Sequence, residues 1–390
     1  MKYNFDEPFD RRPLSGKWAS AIGNDLIPLT VADMDFPLMP EVGQAIKAAA
    51  DQRDFGYQGM KEHHFQAVLD WIKKRTGEDI PREYLLNTPG VLYTMRCAMY
   101  AVTNPGDKVV IQTPLHTPSI KSASMMGRIP MKNWLIYKDG KYTMDFDHLE
   151  KCFREGAKVL MMCAPNNPTG RVWTQEEMDT IAQLANKYNV YIIADEIHRD
   201  ILWDGNKHIS PTSMPSIKDR SISVISTSKT FNMGGFHIGT AIIPNAELRD
   251  KVRDMLYNFG YACGMPTVLD REAQTAAYTQ GETWYQEMMS YVEGNIALAL
   301  DYLDGLPIHA QKPEGTFLLW VDITELGINN EQMWNLMRNT WKVTGDPGSY
   351  YDTKDYQIYK GLEHHIRINL ATQRGLVEEA FDRIRKSFNA

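Results

Sequence analysis

The chain has 390 residues, of which 43% are hydrophobic and 23% charged, and a net charge of −7. That composition excludes a disordered, collagenous or coiled-coil chain, and the length leaves room for two or three domains. An acidic balance without a basic run argues against nucleic acid or a polybasic membrane binder, and no apolar run approaches the roughly 20 residues that a membrane span needs.

In chain order, the N-terminus MKYNFDEPFDRR is charged and lacks the apolar core of a signal peptide. The expected location is the cytoplasm. The first forty or so residues hold several prolines and little periodicity. They are expected to wrap over the rest of the chain or over a partner subunit. Strands are predicted at Lys108–Gln112, Lys158–Ala164, Val190–Asp195, Ser221–Ser226 and Thr240–Ile243, from short β-branched runs. Between the second and third, Thr174 and Glu177 read as a capping box. Met178, Ile181, Leu184, Ala185 and Tyr188 then recur at helical spacing. Strand, helix and strand in series predict a mostly parallel α/β sheet. The C-terminal third differs, with a helix at Thr283–Leu303, strands at Gly315–Asp322 and Ile366–Leu370, and a helix at Leu376–Phe388. This is α+β patterning and predicts a second domain. Cys97, Cys152, Cys163 and Cys263 form no CxxC pair and are read as reduced thiols.

Three polar clusters directly follow predicted strands: Asn166-Asn167-Pro168-Thr169-Gly170, Asp195-Glu196-Ile197-His198 and Ser226-Thr227-Ser228-Lys229. Ligands bind open α/β sheets outside the carboxyl ends of the strands, so three such clusters predict one shared site. Taken singly, each has a plain structural reading as a turn, a helix cap or a solvated lysine.

Asn167, Asp195 28 residues later and Lys229 a further 34 on resemble the fold type I pyridoxal-phosphate enzymes, the aspartate aminotransferase superfamily. Val31-Ala32-Asp33-Met34-Asp35-Phe36-Pro37, Phe55-Gly56-Tyr57, Thr88-Pro89-Gly90-Val91, Asp195-Glu196-Ile197-His198, Ser228-Lys229-Thr230-Phe231-Asn232 and Ile366-Arg367-Ile368-Asn369-Leu370-Ala371 are similar to the MalY/PatB-type cystathionine β-lyases, or C–S lyases. The similarity runs from about Asn4 to Arg385. It implies an α/β protein of the pyridoxal-phosphate-dependent transferase fold type I. In that fold a mostly parallel seven-stranded large domain carries helices on both faces, and a smaller α+β domain is built from the N- and C-terminal segments. The expected bounds are 1–44 for an N-terminal arm with part of the small domain, 45–284 for the large cofactor-binding domain and 285–390 for the C-terminal small domain.

The resemblance also implies roles. Lys229 is to hold the aldehyde of pyridoxal 5′-phosphate and, once freed by the substrate amine, to act as general base. Asp195 is to keep the pyridine nitrogen protonated, and Asn167 to donate to the ring's phenolic oxygen. His198 occupies a position where many relatives have tyrosine. Gly90, Val91 and Leu92 precede an apolar helical stretch whose N–H groups suit a phosphate, with Ser226 and Ser228 as further donors. Tyr57 is to reach the phosphate of a neighbouring subunit, which implies a homodimer. Arg367 is to grip the carboxylate of a small amino-acid substrate, bordered by Asn167 and Ala32.

Some positions depart from the pattern. His116 stands where relatives place Trp or Tyr over the cofactor ring, so it is read as a stacking group that can also serve as general acid. His237 replaces an arginine common in aminotransferases, and Thr30 a common Trp. The implied reaction is β-elimination from cystathionine or a cysteine S-conjugate to a thiol, pyruvate and ammonia. Transamination of an L-amino acid is the alternative, and a regulatory MalY-like binding role a further one. Ser226-x-x-Lys229 also fits S-x-x-K, but the S-D-N and K-T-G elements of serine acyl-enzymes are missing. His63-His64 and His364-His365 are adjacent pairs, expected to point apart, and no H-E-x-x-H occurs, so no metal is expected.

Overall fold

The computed structural model describes residues 1–259, 266–351 and 362–389. Seven strands form the main sheet: β1 (Leu85–Thr88), β2 (Lys108–Thr113), β3 (Ile129–Trp134), β4 (Ala157–Cys163), β5 (Tyr191–Asp195), β6 (Ser221–Ile225) and β7 (Gly239–Ile242). Their order is β1-β7-β6-β5-β4-β2-β3. β7 runs antiparallel to both of its neighbours, and every other pair is parallel. The architecture is the expected α/β fold.

The central strands are largely apolar because both faces are covered. Val109, Ile111, Val159, Met161 and Ile193 pack on one side with Met95 and Met99 of helix Val91–Val102 and Val252 of helix Ala246–Asn258. Val110, Leu160, Met162, Ile192 and Ala194 pack on the other with Phe153 of helix Phe146–Arg154 and Ile181 of helix Gln175–Tyr188. The period of two along each strand thus divides one run of Val, Ile and Met between two cores. The Thr174–Glu177 capping box forms as expected. β3 was not among the named strands. It lies at the sheet edge, reads Ile-Pro-Met-Lys-Asn-Trp and is only partly buried, which is edge chemistry.

A second, antiparallel sheet holds β8 (His309–Ala310), β9 (Leu318–Asp322), β10 (Asp346–Pro347) and β11 (His365–Asn369), in the order β8-β9-β11-β10. β9 starts three residues later than the Gly315 expected from sequence. Gly315 makes only an isolated bridge to Leu202, and Thr316 has φ +71°, a left-handed value that ends extended pairing. The N-terminal segment wraps over its own chain. Phe5 packs edge-on against Phe36 and Trp284, and Ile27–Pro28 pairs in parallel with Val343–Thr344. One apolar cluster runs from Phe5 and Val42 through Trp71 and Phe231 to Phe317 and Phe381, across both expected domain boundaries.

Cys97, Cys152 and Cys163 are buried free thiols, and Cys263 lies outside the described residues. Among the described residues no helix is long and apolar enough to cross a membrane.

Directly after β5, Glu196 is fully buried and densely partnered. Its Oε1 accepts from the Ser210 and Ser223 hydroxyls at 2.7 and 2.6 Å, Arg199 Nη1 lies 3.2 Å from Oε2, and His208 Nε2 lies 2.9 Å from the same oxygen. Burial alone would raise this carboxyl; His208, Arg199 and Ser210 outweigh it and bring it from 4.5 down to about 2. A carboxyl depressed in the folded state adds stability above its unfolded value, and that stability is lost as pH falls toward the folded one. Glu196→Gln is therefore expected to lower the urea midpoint at pH 7, with the difference from the parent shrinking between about pH 4.5 and about pH 2. A difference independent of pH would show that the charge contributes nothing.

Candidate active site

Five strand ends of the main sheet deliver the site. β4 leads into a turn in which Asn166 Oδ1 accepts from the Thr169 N–H and hydroxyl at 3.2 and 2.7 Å, which leaves Asn167 at the apex. Gly170 closes that turn at φ +71°; a Cβ there would lie 2.6 Å from Pro313 Cβ, so only glycine fits. β5 ends on Asp195. After β6, Ser226 caps the single helical turn Thr227–Thr230 that carries Lys229. β2 leads to His116, which precedes helix Thr117–Met125. On the near edge of the sheet, β1 leads through Gly90, at φ +111°, into helix Val91–Val102. The second sheet adds Arg367 from β11 and Asp346 from β10.

These groups line one cleft of about 1120 Å³. Its walls hold Ala32, Gly90, Val91, Leu92, His116, Asn167, Asp195, His198, Ser228, Lys229 and Arg367, which are most of the residues picked out from sequence. Two others lie elsewhere. The Ser226 hydroxyl donates to Ile238 O at 2.8 Å and accepts from Ser228 N–H at 3.2 Å, so it serves the cap and does not line the cleft. Tyr57 is 93% exposed and is absent from its own chain's cleft wall.

Hydrogen bonds fix the reactive groups. Lys229 Nζ donates to Ala32 O at 2.6 Å. Asn167 Oδ1 accepts from Arg367 Nη1 at 2.8 Å, which leaves the Asn167 amide N–H groups as donors. Asp195 Oδ1 accepts from Ile197 N–H at 3.1 Å. His198 is buried with no partner at either ring nitrogen and packs edge-on against Phe317 at 5.6 Å.

The electrostatics follow from burial. It lowers the Lys229 ammonium from its ordinary value; Asp33 and Asp195 oppose that shift and Arg367 adds to it. Burial raises Asp195 to about 6 against the pull of Ile197 N–H and Lys229. His116 is pushed down to about 4 by burial, then by the charges of Arg367 and Lys229. His198 falls well below its ordinary value for the same reasons. Both imidazoles are therefore neutral at pH 7.

Asp346, Tyr351 and Asp33 were not picked out from sequence as site residues. Asp346 Oδ2 accepts from Arg367 Nη2, and the Tyr351 ring lies 5.1 Å from the Arg367 guanidinium carbon. Nothing in the text Gly345-Asp346-Pro347-Gly348 marks such a contact, which exists only through the β10–β11 register. The histidine pair also differs from expectation. The His63 and His64 rings lie 4.0 Å apart, and with Glu272 each offers one ligand atom within 4.8 Å of the others. The His64 ring turns back so that Nδ1 accepts from Lys61 N–H at 2.9 Å, while Nε2 meets Glu272 Oε1 at 3.0 Å. Its one lone pair is thus taken by the backbone, and Nε2 carries the proton that Glu272 accepts.

Comparison with known proteins identifies the family. The family described as aminotransferase class I and II matches residues 24–384. The chain is 31% identical to cystathionine beta-lyase PatB of Bacillus subtilis over 369 residues, covering 94% of this chain and 93% of that protein. It is 29% identical to protein MalY of Escherichia coli over 359 residues, covering 91% and 90%. Its backbone is similar to that of cystalysin from Treponema denticola, a structure containing pyridoxal 5′-phosphate, with a TM-score of 0.92 at 30% identity and coverage of 100% and 99%. A PLP-bound C–S lyase from Staphylococcus hominis gives a TM-score of 0.88 at 30% identity, covering 99% and 98%. With one site at the strand ends and a family match over nearly its whole length, the chain belongs to the aminotransferase class I and II family.

Proposed function

We propose that this chain is a pyridoxal-phosphate-dependent carbon–sulfur β-lyase that cleaves cystathionine or a cysteine S-conjugate to a thiol, pyruvate and ammonia. The observation that carries the reading is the shared cleft of Lys229, Asp195, Asn167 and Arg367. The residues fit the cofactor. The unpartnered nitrogens of buried His198, the free amide donors of Asn167 and the raised carboxyl of Asp195 are each incomplete until a polar ring lies among them. The N–H groups behind Gly90 open a helix of 12 residues toward the cleft and suit a phosphate, with the Ser228 hydroxyl beside them.

Pyridoxal phosphate, when bound, supplies the aldehyde that carries the substrate amine and the ring that draws electrons from Cα. The chain's residues do the rest. Lys229 holds that aldehyde at rest and afterwards takes the Cα proton; its lowered basicity favours the neutral amine that both tasks need. Asp195 would supply negative charge to the ring nitrogen, and Asn167 and His198 would serve the phenolic oxygen. Arg367 binds the substrate carboxylate, which orients the Cα–H bond toward Lys229. The Cβ–S bond would break with its electron pair on sulfur, the proton that Lys229 took from Cα would complete the thiol, and water would convert the remainder to pyruvate and ammonia. His116, neutral at pH 7, would stack on the ring. The assembly is a homodimer in which exposed Tyr57 serves the neighbouring cleft, and the enzyme is cytoplasmic, in keeping with three buried thiols free of disulfides.

Purified enzyme loaded with pyridoxal phosphate and given cystathionine, with no keto acid, is expected to release thiol, pyruvate and ammonia in equal amounts. Keto-acid dependence without thiol would make it an aminotransferase instead. Lys229→Ala is expected to lower the rate by about 10²–10⁴-fold or more. For His116→Phe the expected loss is within about tenfold, since an aromatic ring is kept. A loss beyond about 100-fold with cofactor absorbance intact would give His116 a proton-transfer role.

A further inference from the structure

Arg367 has five N–H donors on three nitrogens. Nη1 serves Asn167, Nη2 serves Asp346, and Nε is buried without a partner. The ion pair with Asp346 is well sheltered, its side chains 5% and 14% exposed, yet both residues line the cleft. Asp346 sits directly opposite Arg367 across β10 and β11. Its carboxylate also accepts from Val31 N–H at 3.0 Å and from the Tyr351 hydroxyl at 3.5 Å.

The backbone beneath Asp346 has no room to retreat. A Cβ on the preceding Gly345 would lie 2.4 Å from Ile366 Cγ2 and 2.8 Å from Ile368 Cδ1, so β10 is pressed onto β11. Only rotation of the side chain can separate Asp346 from Arg367. A carboxylate ligand gripped in bidentate fashion takes two neighbouring N–H donors of one guanidinium. The unpartnered Nε–H has Nη2 as its neighbour, and one of the two Nη2 N–H groups is held by Asp346. A second carboxylate at the same edge would also face the first at contact distance, which is costly for like charges.

We propose that Asp346 is a resident carboxylate that the substrate's α-carboxylate must displace from Arg367, and that it thereby sets the affinity of the enzyme for amino acids. This rests on the reading of Arg367 as the substrate-carboxylate arginine. All three contacts of Asp346 fall on the same Oδ2, so rotation away from Arg367 also loosens its bonds to Val31 N–H and the Tyr351 hydroxyl, and the substrate carboxylate has to outweigh them together. An amine without a carboxylate has nothing with which to evict it, and the contact between Asp346 and Arg367 persists while such an amine is bound.

The test uses holoenzyme, L-alanine as a carboxylate ligand without a β-leaving group, and ethylamine as its carboxylate-free counterpart, with Kd measured by calorimetry. Asp346→Asn keeps an acceptor for Val31 and removes the charge. It is expected to tighten L-alanine about tenfold and to leave ethylamine unchanged. Asp346→Ser, which cannot reach Arg367 in the same way, is expected to shift L-alanine in the same direction and covers the case in which the first variant folds poorly. Unchanged or weaker L-alanine binding in both variants overturns the proposal, weaker binding meaning that Asp346 orients Arg367. Arg367→Ala separates the two readings. It is expected to abolish the preference for L-alanine over ethylamine, and if the preference survives, the carboxylate site lies elsewhere and the assignment of Arg367 falls together with the proposal.

Discussion

An alkyl amine drawn away from bulk water tends to lose its proton, and the neutral form is the one able to act as nucleophile or base. Lys229 is placed under that constraint by the one-turn helix after β6, which turns its side chain toward the carbonyl of Ala32. The surroundings then have to balance. Asp33 and Asp195 oppose the loss of basicity that burial causes, while Arg367 adds to it. The same cleft leaves Asp195 with a carboxyl raised to about 6, because Lys229 offsets only part of its burial. Burial thus makes Lys229 a weaker base and Asp195 a weaker acid than in water.

The constraint reaches across the two sheets. Asn167, at the end of β4, and Arg367, on β11, are joined by the 2.8 Å bond from Nη1 to the amide oxygen. That bond sets which end of the Asn167 amide faces the cleft, so a residue of the second sheet determines whether the first presents a donor or an acceptor there. The turn bearing Asn167 is itself packed on the second half of the chain at Gly170, where Gly315 N–H donates to Gly170 O at 2.9 Å. Relative movement of the two sheets would therefore disturb the orientation of a polar group at the centre of the chemistry, and the site is rigid only while both sheets are in register with each other.

How far sequence anticipates this depends on how local each cause is. β2, β4, β5 and β6 are buried on both faces, and their clustered Val, Ile, Leu and Met residues stand out in the sequence, although Ser221 and Ser223 interrupt β6. The Thr174–Glu177 cap is equally local, three residues apart. Lys229, Asp195 and Asn167 follow strands in chain order, so their convergence is a consequence of parallel topology. β3 was missed because an edge strand tolerates Pro130 and Lys132. The reversed direction of β7 leaves no mark in its four residues. Asp346 and the turned ring of His64 were illegible for another reason: each depends on a cross-chain register or a backbone donor that no residue pattern encodes. The Ser226 hydroxyl was assigned to a ligand by residue type alone, and the cap geometry uses it first.

The balance at Lys229 also explains why an irregular N-terminal segment has to be tied down. Asp33 contributes charge to the cleft, and its neighbour Asp35 is buried. Arg11 bridges them, donating to Asp33 Oδ2 at 2.6 Å and to Asp35 Oδ1 at 2.7 Å, while Lys17 meets Asp35 Oδ2 at 2.5 Å and Trp18 Nε1 meets Oδ1 at 2.8 Å. Removing one side of a buried ion pair leaves the other charge uncompensated, which costs more than the pair is worth. Loss of the 11–18 stretch would therefore do more than expose a surface. Asp35 would be left buried without a cation, the 31–36 loop would lose the anchors that hold it, and the Ala32 carbonyl would no longer be fixed against the Lys229 amine. A segment with no periodicity of its own is in this way part of the electrostatic frame of the site.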